Sequence, residues 1–129
     1  MSVAAACPCG SALTRVACCS RYHAGAQHLL APTAEALMRS RYSAYVLGLP
    51  DYLLATWHPS TRPPALDADP PTLKWLGLEV RRHEQSDDTH AVVEFIARNK
   101  LAGRAQRLHE TSRFVREGGR WFYVDGEMR

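Results

Sequence analysis

The 129-residue sequence has no apolar run long enough to cross a bilayer, no block of like charges and, after residue 19, no cysteine. The first absence predicts a soluble protein with no membrane partner. The second argues against a basic nucleic-acid arm or an acidic tail. Lysine is scarce too: Lys74 and Lys100 are the only two, and the arginines that make up the rest of the basic residues alternate with acids. Compositional bias accounts for that pattern better than phosphate recognition does. The amino end, Met1-Ser2-Val3-Ala4-Ala5-Ala6-Cys7, lacks both the basic segment and the hydrophobic stretch of a signal peptide, so the expected compartment is the reducing cytoplasm. With 46% hydrophobic and 22% charged residues, the chain reads as one globular domain with room for a small appended module.

What is present is concentrated. All four cysteines, Cys7, Cys9, Cys18 and Cys19, fall within thirteen residues. In a reducing compartment such a cluster serves as thiolates on a metal more readily than as disulfides, and a disulfide between adjacent Cys18 and Cys19 would be strained. Four sulfur donors predict one tetrahedral Zn²⁺ in a closed site with no position left for a reactive water, hence a structural ion. Four thiolates on one zinc would bring the formal charge from +3 to +1. Iron and redox chemistry of the thiols are the alternatives.

The local residues suit a knuckle. Pro8 stiffens the approach, Gly10 can take a positive φ around the metal, and Ser11 can cap the next turn. Leu13 and Val16 are the only sizeable apolar residues there, so metal binding has to supply the folding free energy, on the order of 10 kcal/mol. His23, four residues past Cys19, is a substitute ligand in principle and is expected to be an exposed histidine. The spacing departs from the usual two-to-four-residue gaps. Cys7-Pro8-Cys9-Gly10-Ser11, with Cys18-Cys19 placed eight intervening residues beyond Cys9, resembles the SEC-C zinc module known from the C-terminus of the translocation ATPase SecA. In that module the last ligand is often histidine, and here it is Cys19. The resemblance implies a role in partner contacts, here with an unidentified protein or ribonucleoprotein partner.

Beyond Pro32 the pattern turns helical. Thr33 can cap a helix whose apolar positions Met38, Tyr42, Tyr45, Val46 and Leu49 share one face. Pro50 and Asp51 suit the start of a second, short helix ending at His58-Pro59, before a proline-rich loop to Pro71. From Leu73 the period approaches two, which predicts strands at about 73–84, 90–99, 106–116 and 120–125 joined by tight turns. Helices first and strands last make an α+β domain with antiparallel pairing.

Three further stretches carry a larger resemblance: Ala36 to Tyr45, Ala55 to Pro63, and His109 to Phe114 with Trp121 to Gly126. They look like the YchJ family. The resemblance implies a SEC-C zinc knuckle over residues 1–24 and, over 25–129, a domain similar to nuclear transport factor two: a cone-shaped curved antiparallel sheet closed by helices. It implies no activity.

Such a cone can enclose a cavity, and polar residues stranded among apolar ones are its candidate lining. Arg41 falls in line with Leu37 and Tyr45, and a buried arginine needs an anionic or carbonyl partner: Glu94, Glu110 or the acid group of a small anionic ligand. Trp57, His58 and Arg62 offer stacking, a titratable imidazole and an anion donor, against the plainer reading of a tryptophan packed beside prolines. If Phe114 points inward, Glu110 and Ser112 share its face, whereas His109 goes with Thr111, Arg113 and Val115.

Three functions compete. One is a binding or interaction protein that docks a macromolecular partner through its zinc knuckle. Another is a small-molecule enzyme, an isomerase, dehydratase or hydrolase, with Glu110 or His58 as base and Arg41 or Arg62 on an anion. The third, RNA or ribosome binding, requires folding to assemble a basic surface from Arg81, Arg82, Arg98, Arg104 and Arg107.

Overall fold

A computed structural model describes residues 6–15, 17–66 and 69–129. Val16, expected among the apolar residues of the cysteine segment, and residues 1–5 of the amino end lie outside that set. The elements run α1 (Ser20–His23), α2 (Ala34–Leu47), α3 (Pro50–Ala55), β1 (Leu73–Asp87), β2 (His90–Leu101), β3 (Arg104–Glu117) and β4 (Arg120–Met128).

The limits of α2 are set by its end residues. The Thr33 side chain accepts a hydrogen bond from the Ala36 N–H, which satisfies one donor left free in the first turn. At the other end Gly48 takes the left-handed conformation, with Leu49 N–H bonded to Ala44 C=O and Gly48 N–H to Tyr45 C=O, a Schellman closure. Pro50 then opens α3, where its missing N–H costs nothing. This helix ends at Ala55, earlier than the expected His58-Pro59. The reason is competition for backbone groups: His58 N–H donates to Tyr123 C=O and Tyr123 N–H to Thr56 C=O, which pairs this stretch with β4.

The four strands form one antiparallel sheet in the order β1-β2-β3-β4. The expected strands are present, each longer than its apolar alternation: β1, β2 and β3 stay paired up to two-residue loops at 88–89, 102–103 and 118–119, and β4 stays paired with β3 as far as Met128 opposite Glu110. Ala102-Gly103 and Gly118-Gly119 have positive φ at both positions, the geometry that matches the twist of a tight hairpin.

The core lies between α2 and the sheet, around Leu37, Val93, Phe114 and Trp121. The buried side of α2 is broader than the periodicity predicts. Val46 is partly exposed, whereas Ser40 and Ser43 are fully buried. Those serines lie against the cysteine segment and α3: Ser43 Oγ is 3.5 Å from Cys7 Sγ, Ser40 Oγ bonds the Tyr52 hydroxyl at 2.7 Å, and His23 Nε2 donates to Ser40 C=O at 2.8 Å. His23 is therefore half-buried against α2, packed edge-on to the Tyr52 ring, and is not the exposed residue expected.

Two measurements check this packing. Thr33→Ala should cost about 1 kcal/mol of stability, read as a lower urea midpoint at unchanged slope; an unchanged midpoint would show that the cap contributes nothing. Burial also pushes the Tyr52 and Tyr123 phenols up to about 12. A raised folded pKa gives stability that is complete below the unfolded value of about 10 and is lost as pH rises toward 12. The melting temperature should therefore fall across that window in step with tyrosinate absorbance, and Tyr52→Phe should flatten the fall.

Candidate functional site

The cysteine segment builds its cluster from two turns. Cys7 N–H donates to Leu13 C=O at 2.8 Å, and an Ala6–Thr14 bridge closes a small loop in which Gly10 has φ 82°. Cys18 and Cys19 enter from the opposite side, just before α1. All four cysteines are buried, and their sulfur atoms lie within 4.8 Å of one another. Cys9 and Cys18 are 3.6 Å apart and Cys18 and Cys19 are 3.8 Å apart. A tetrahedral ion with metal–sulfur bonds of about 2.3 Å sets its sulfurs about 3.8 Å apart, so the donor set fits such an ion.

The electrostatics agree. Hydrogen bonding from Cys19 pulls the Cys9 thiol down to about 4 against the opposing effect of burial. The same bond pushes Cys19 up, and burial pushes Cys18 up. Without a cation the cluster thus favours a thiolate at Cys9 beside thiols at Cys18 and Cys19, and ionising those as well requires a positive ion beside them. The surroundings hold the cysteines in place: Ser11 Oγ donates to Cys18 Sγ at 3.1 Å and Arg39 Nη1 to Cys9 C=O at 2.8 Å. Ser11 therefore serves a cysteine of the cluster as well as the local turn, where it accepts from Leu13 N–H.

On the other side of α2 the inner face of the sheet encloses a cavity of about 460 Å³. Tyr42, Tyr45, Trp57, Trp75, Phe95 and Tyr123 supply aromatic walls. Arg41, Glu110 and Ser112 line it as well. Arg41 is fully buried, yet neither Glu94 nor Glu110 forms the ion pair expected for it. Its Nη1 donates to Leu53 C=O at 2.8 Å and Thr56 Oγ1 at 2.7 Å, and the guanidinium lies over the rings of Trp57 and Tyr123 at 5.1 and 4.5 Å. Burial lowers its pKa, but a guanidinium keeps its proton.

Glu94 is on the outer face of the sheet, bonded to His109 at 2.6 Å, as strand alternation requires. Glu110 accepts from the Ser112 hydroxyl, and its carboxylate lies flat against Gly126, where any side chain would collide with it. The structure separates Trp57 from its neighbours. Trp57 lines the cavity; His58 and Arg62 do not. His58 Nε2 donates to Glu117 at 2.6 Å, its Nδ1 accepts from Ser60, and exposed Arg62 donates to Trp57 C=O. These bonds tie the 56–62 loop to the β3–β4 hairpin.

Asn99, which lines the cavity, and Gly126, which faces the Glu110 side chain, were not picked out from the sequence. Asn99 is 3% exposed with its Oδ1 unpartnered among the described residues, and the signal was a polar residue at the period-two position between Ala97 and Leu101. Gly126 interrupts a strand pattern, which marks a close approach. Trp57 Nε1 is the second buried polar atom of the cavity lining without a partner among the described residues.

The YchJ middle domain, described as NTF2-like, matches residues 33–126. A UPF0225 protein of Bordetella parapertussis is 61% identical over 125 residues, covering 97% of this chain and 94% of that protein. One of Chromobacterium violaceum is 63% identical over 126 residues, covering 95% and 92%. The solution structure of a SEC-C motif containing protein from Rhodopseudomonas palustris superposes with a TM-score of 0.82 at 37% identity, over 94% of this chain and 96% of the other. The crystal structure of a SEC-C motif containing protein from Psychrobacter arcticus gives 0.77 at 35%, over 92% and 80%. The α+β sheet, the four-cysteine cluster and these likenesses agree: the chain belongs to the YchJ family.

Proposed function

We propose that this chain is a zinc-stapled receptor for a small organic ligand, held in the cavity between α2 and the sheet. The observation that carries the reading is Arg41: a fully buried cation, without an ion pair among the described residues, at the wall of an aromatic cavity. Leaving a charge there is costly unless something compensates it, and two neutral oxygens with two ring faces compensate it in part. A ligand oxygen, carboxylate or carbonyl, completes the set, with the free Trp57 Nε1 donor beside it and the Asn99 acceptor offered to a ligand N–H or O–H.

Zinc is the ion that best suits the cysteine cluster, since four thiolates in a closed tetrahedron match its preference and leave no open coordination position. Its role is to hold the cone closed through α2, and a cluster of reduced thiols fits the cytoplasm. No helix among the described residues is long and apolar enough to cross a membrane. Chemistry on a bound ligand would run through Glu110, because the other carboxylate of the lining, Asp69, is exposed at the mouth. A second reading has the knuckle docking a protein or ribonucleoprotein partner; the 50% exposure of Leu13 on its loop supports it. An unchanged set of co-purifying partners in Leu13→Asp would remove that reading.

Two experiments test the main proposal. The fluorescent aromatic anion anilinonaphthalene sulfonate should bind the folded chain at one site, and Ala97→Phe, which fills the middle of the cavity, should weaken binding about tenfold or more at unchanged circular dichroism. Equal binding by both proteins would sink the cavity reading. Chelation of the metal should expose residues before Thr33 to trypsin and lower the melting temperature of the whole chain, because α2 loses its cover; an unchanged melting temperature would show that the metal supports only its own loop.

A further inference from the structure

The outer face of the sheet, opposite the cavity, has an unusual distribution of charge. Lys74, Arg98, Lys100 and Arg107 are each flanked in sequence by two cavity-lining residues, so alternation turns all four outward. The strand register then pairs them: Lys74 stands opposite Lys100, and Arg98 opposite Arg107. The chain's only two lysines are thus direct cross-strand neighbours, beside an arginine pair. Like charges placed opposite each other destabilise a sheet. All four are exposed, on a grid of about 4.8 Å across strands and about 7 Å along them.

Counter-charge is scarce at this end. Among the described residues Lys74, Lys100 and Arg107 form no ion pair. Arg98 reaches Glu79 only at 3.9 Å, and Glu79 is already held by Arg81 at 2.8 Å. The other half of the same face behaves differently. Arg82 pairs with Glu84 and Glu94, His109 with Glu94, and Arg113 with Asp125 and Glu127. One half is neutralised internally, and the other carries closely spaced cations with Glu79, shared with Arg81, as the one acid paired to them among the described residues.

We propose that this basic end of the outer sheet face binds single-stranded RNA through its phosphate backbone. A grid of cations at such spacing suits consecutive phosphates of one strand, and the patch is too small to need a duplex. The strands that persist single in a cell are RNA. No aromatic side chain of β1–β3 is available to stack a base on this face, since Trp75 and Phe95 line the cavity, so contact is with the backbone and independent of sequence. A membrane surface fits less well, because Leu76 is the one large exposed apolar residue beside the patch among the described residues and no aromatic anchor accompanies it. Of the arginines that the sequence offered for such a surface, Arg98 and Arg107 are in the patch and Arg81 borders it, whereas Arg82 is neutralised by acids.

The test is fluorescence anisotropy of a labelled oligouridine with the metal-loaded full chain at about 50 to 200 mM salt. Four phosphate contacts predict a slope of log affinity on log salt of about −2.8, which is about a 50-fold loss across that range. The double variant Lys74→Gln, Lys100→Gln should halve the slope to about −1.4. Arg113→Gln, in the neutralised half, should leave it unchanged. Lys100→Gln alone should also raise the melting temperature, as expected if the lysine pair opposes folding and is kept for binding. Absence of binding at the lowest salt, a slope indifferent to the double variant, tighter binding of duplex DNA, or retention on phosphatidylglycerol vesicles in place of RNA would each overturn the proposal.

Discussion

The contact between the cysteine segment and α2 is the constraint on which the rest of the structure depends. The segment has almost no apolar surface of its own, yet it covers a stretch of α2 that includes two buried serines. Arg39 reaches across to the Cys9 carbonyl, Ser43 to the Cys7 sulfur, and His23 to the Ser40 carbonyl. A helix buried on that side by polar contacts has little freedom to shift on the sheet. Its opposite side delivers Met38, Arg41, Tyr42 and Tyr45 to the cavity wall. An ion held among the four sulfurs would therefore act on the cavity without touching it.

Arg41 ties the same helix to the proposed ligand site. Its guanidinium is held by a helix-end carbonyl, a threonine hydroxyl and two aromatic faces, all of them neutral. Glu110, the nearest expected counter-ion, is turned instead onto Ser112 in a space that only a glycine at position 126 leaves open. A cation and a carboxylate that line one cavity without pairing to each other are the arrangement on which the proposed ligand site rests. That arrangement separates the site from an ordinary buried salt bridge, in which the two charges would satisfy one another and leave the cavity with no polar purpose.

Much of this was legible in the residues, and the reasons differ by element. The cysteine cluster depends on local spacing and the start of α2 on a threonine cap, so both could be read directly; the helix stops at Gly48, short of the Leu49 that the apolar spacing includes. The strands were legible from alternation, but their ends were not, because pairing to the hairpin loops extends them past the apolar residues. Ser40 and Ser43 lie off the apolar face of the helix pattern, and nothing in that pattern announces that another segment covers them. His58 and Arg62 were grouped with Trp57 by proximity in sequence. The backbone pairing of this loop with β4 turns tryptophan inward and the other two outward. The opposed lysines were hidden most completely: residues 74 and 100 are far apart in the chain, and only the β1–β2 register brings them together.

The central claim is that a zinc ion closes the four-cysteine cluster and thereby fixes α2 over the cavity. X-ray absorption at the zinc edge, recorded on the intact chain as purified, tests it most directly. The account predicts one zinc per chain with four sulfur neighbours at about 2.3 Å and no oxygen or nitrogen ligand. A chain that is folded but metal-free, or a zinc whose shell includes water or imidazole, would contradict it.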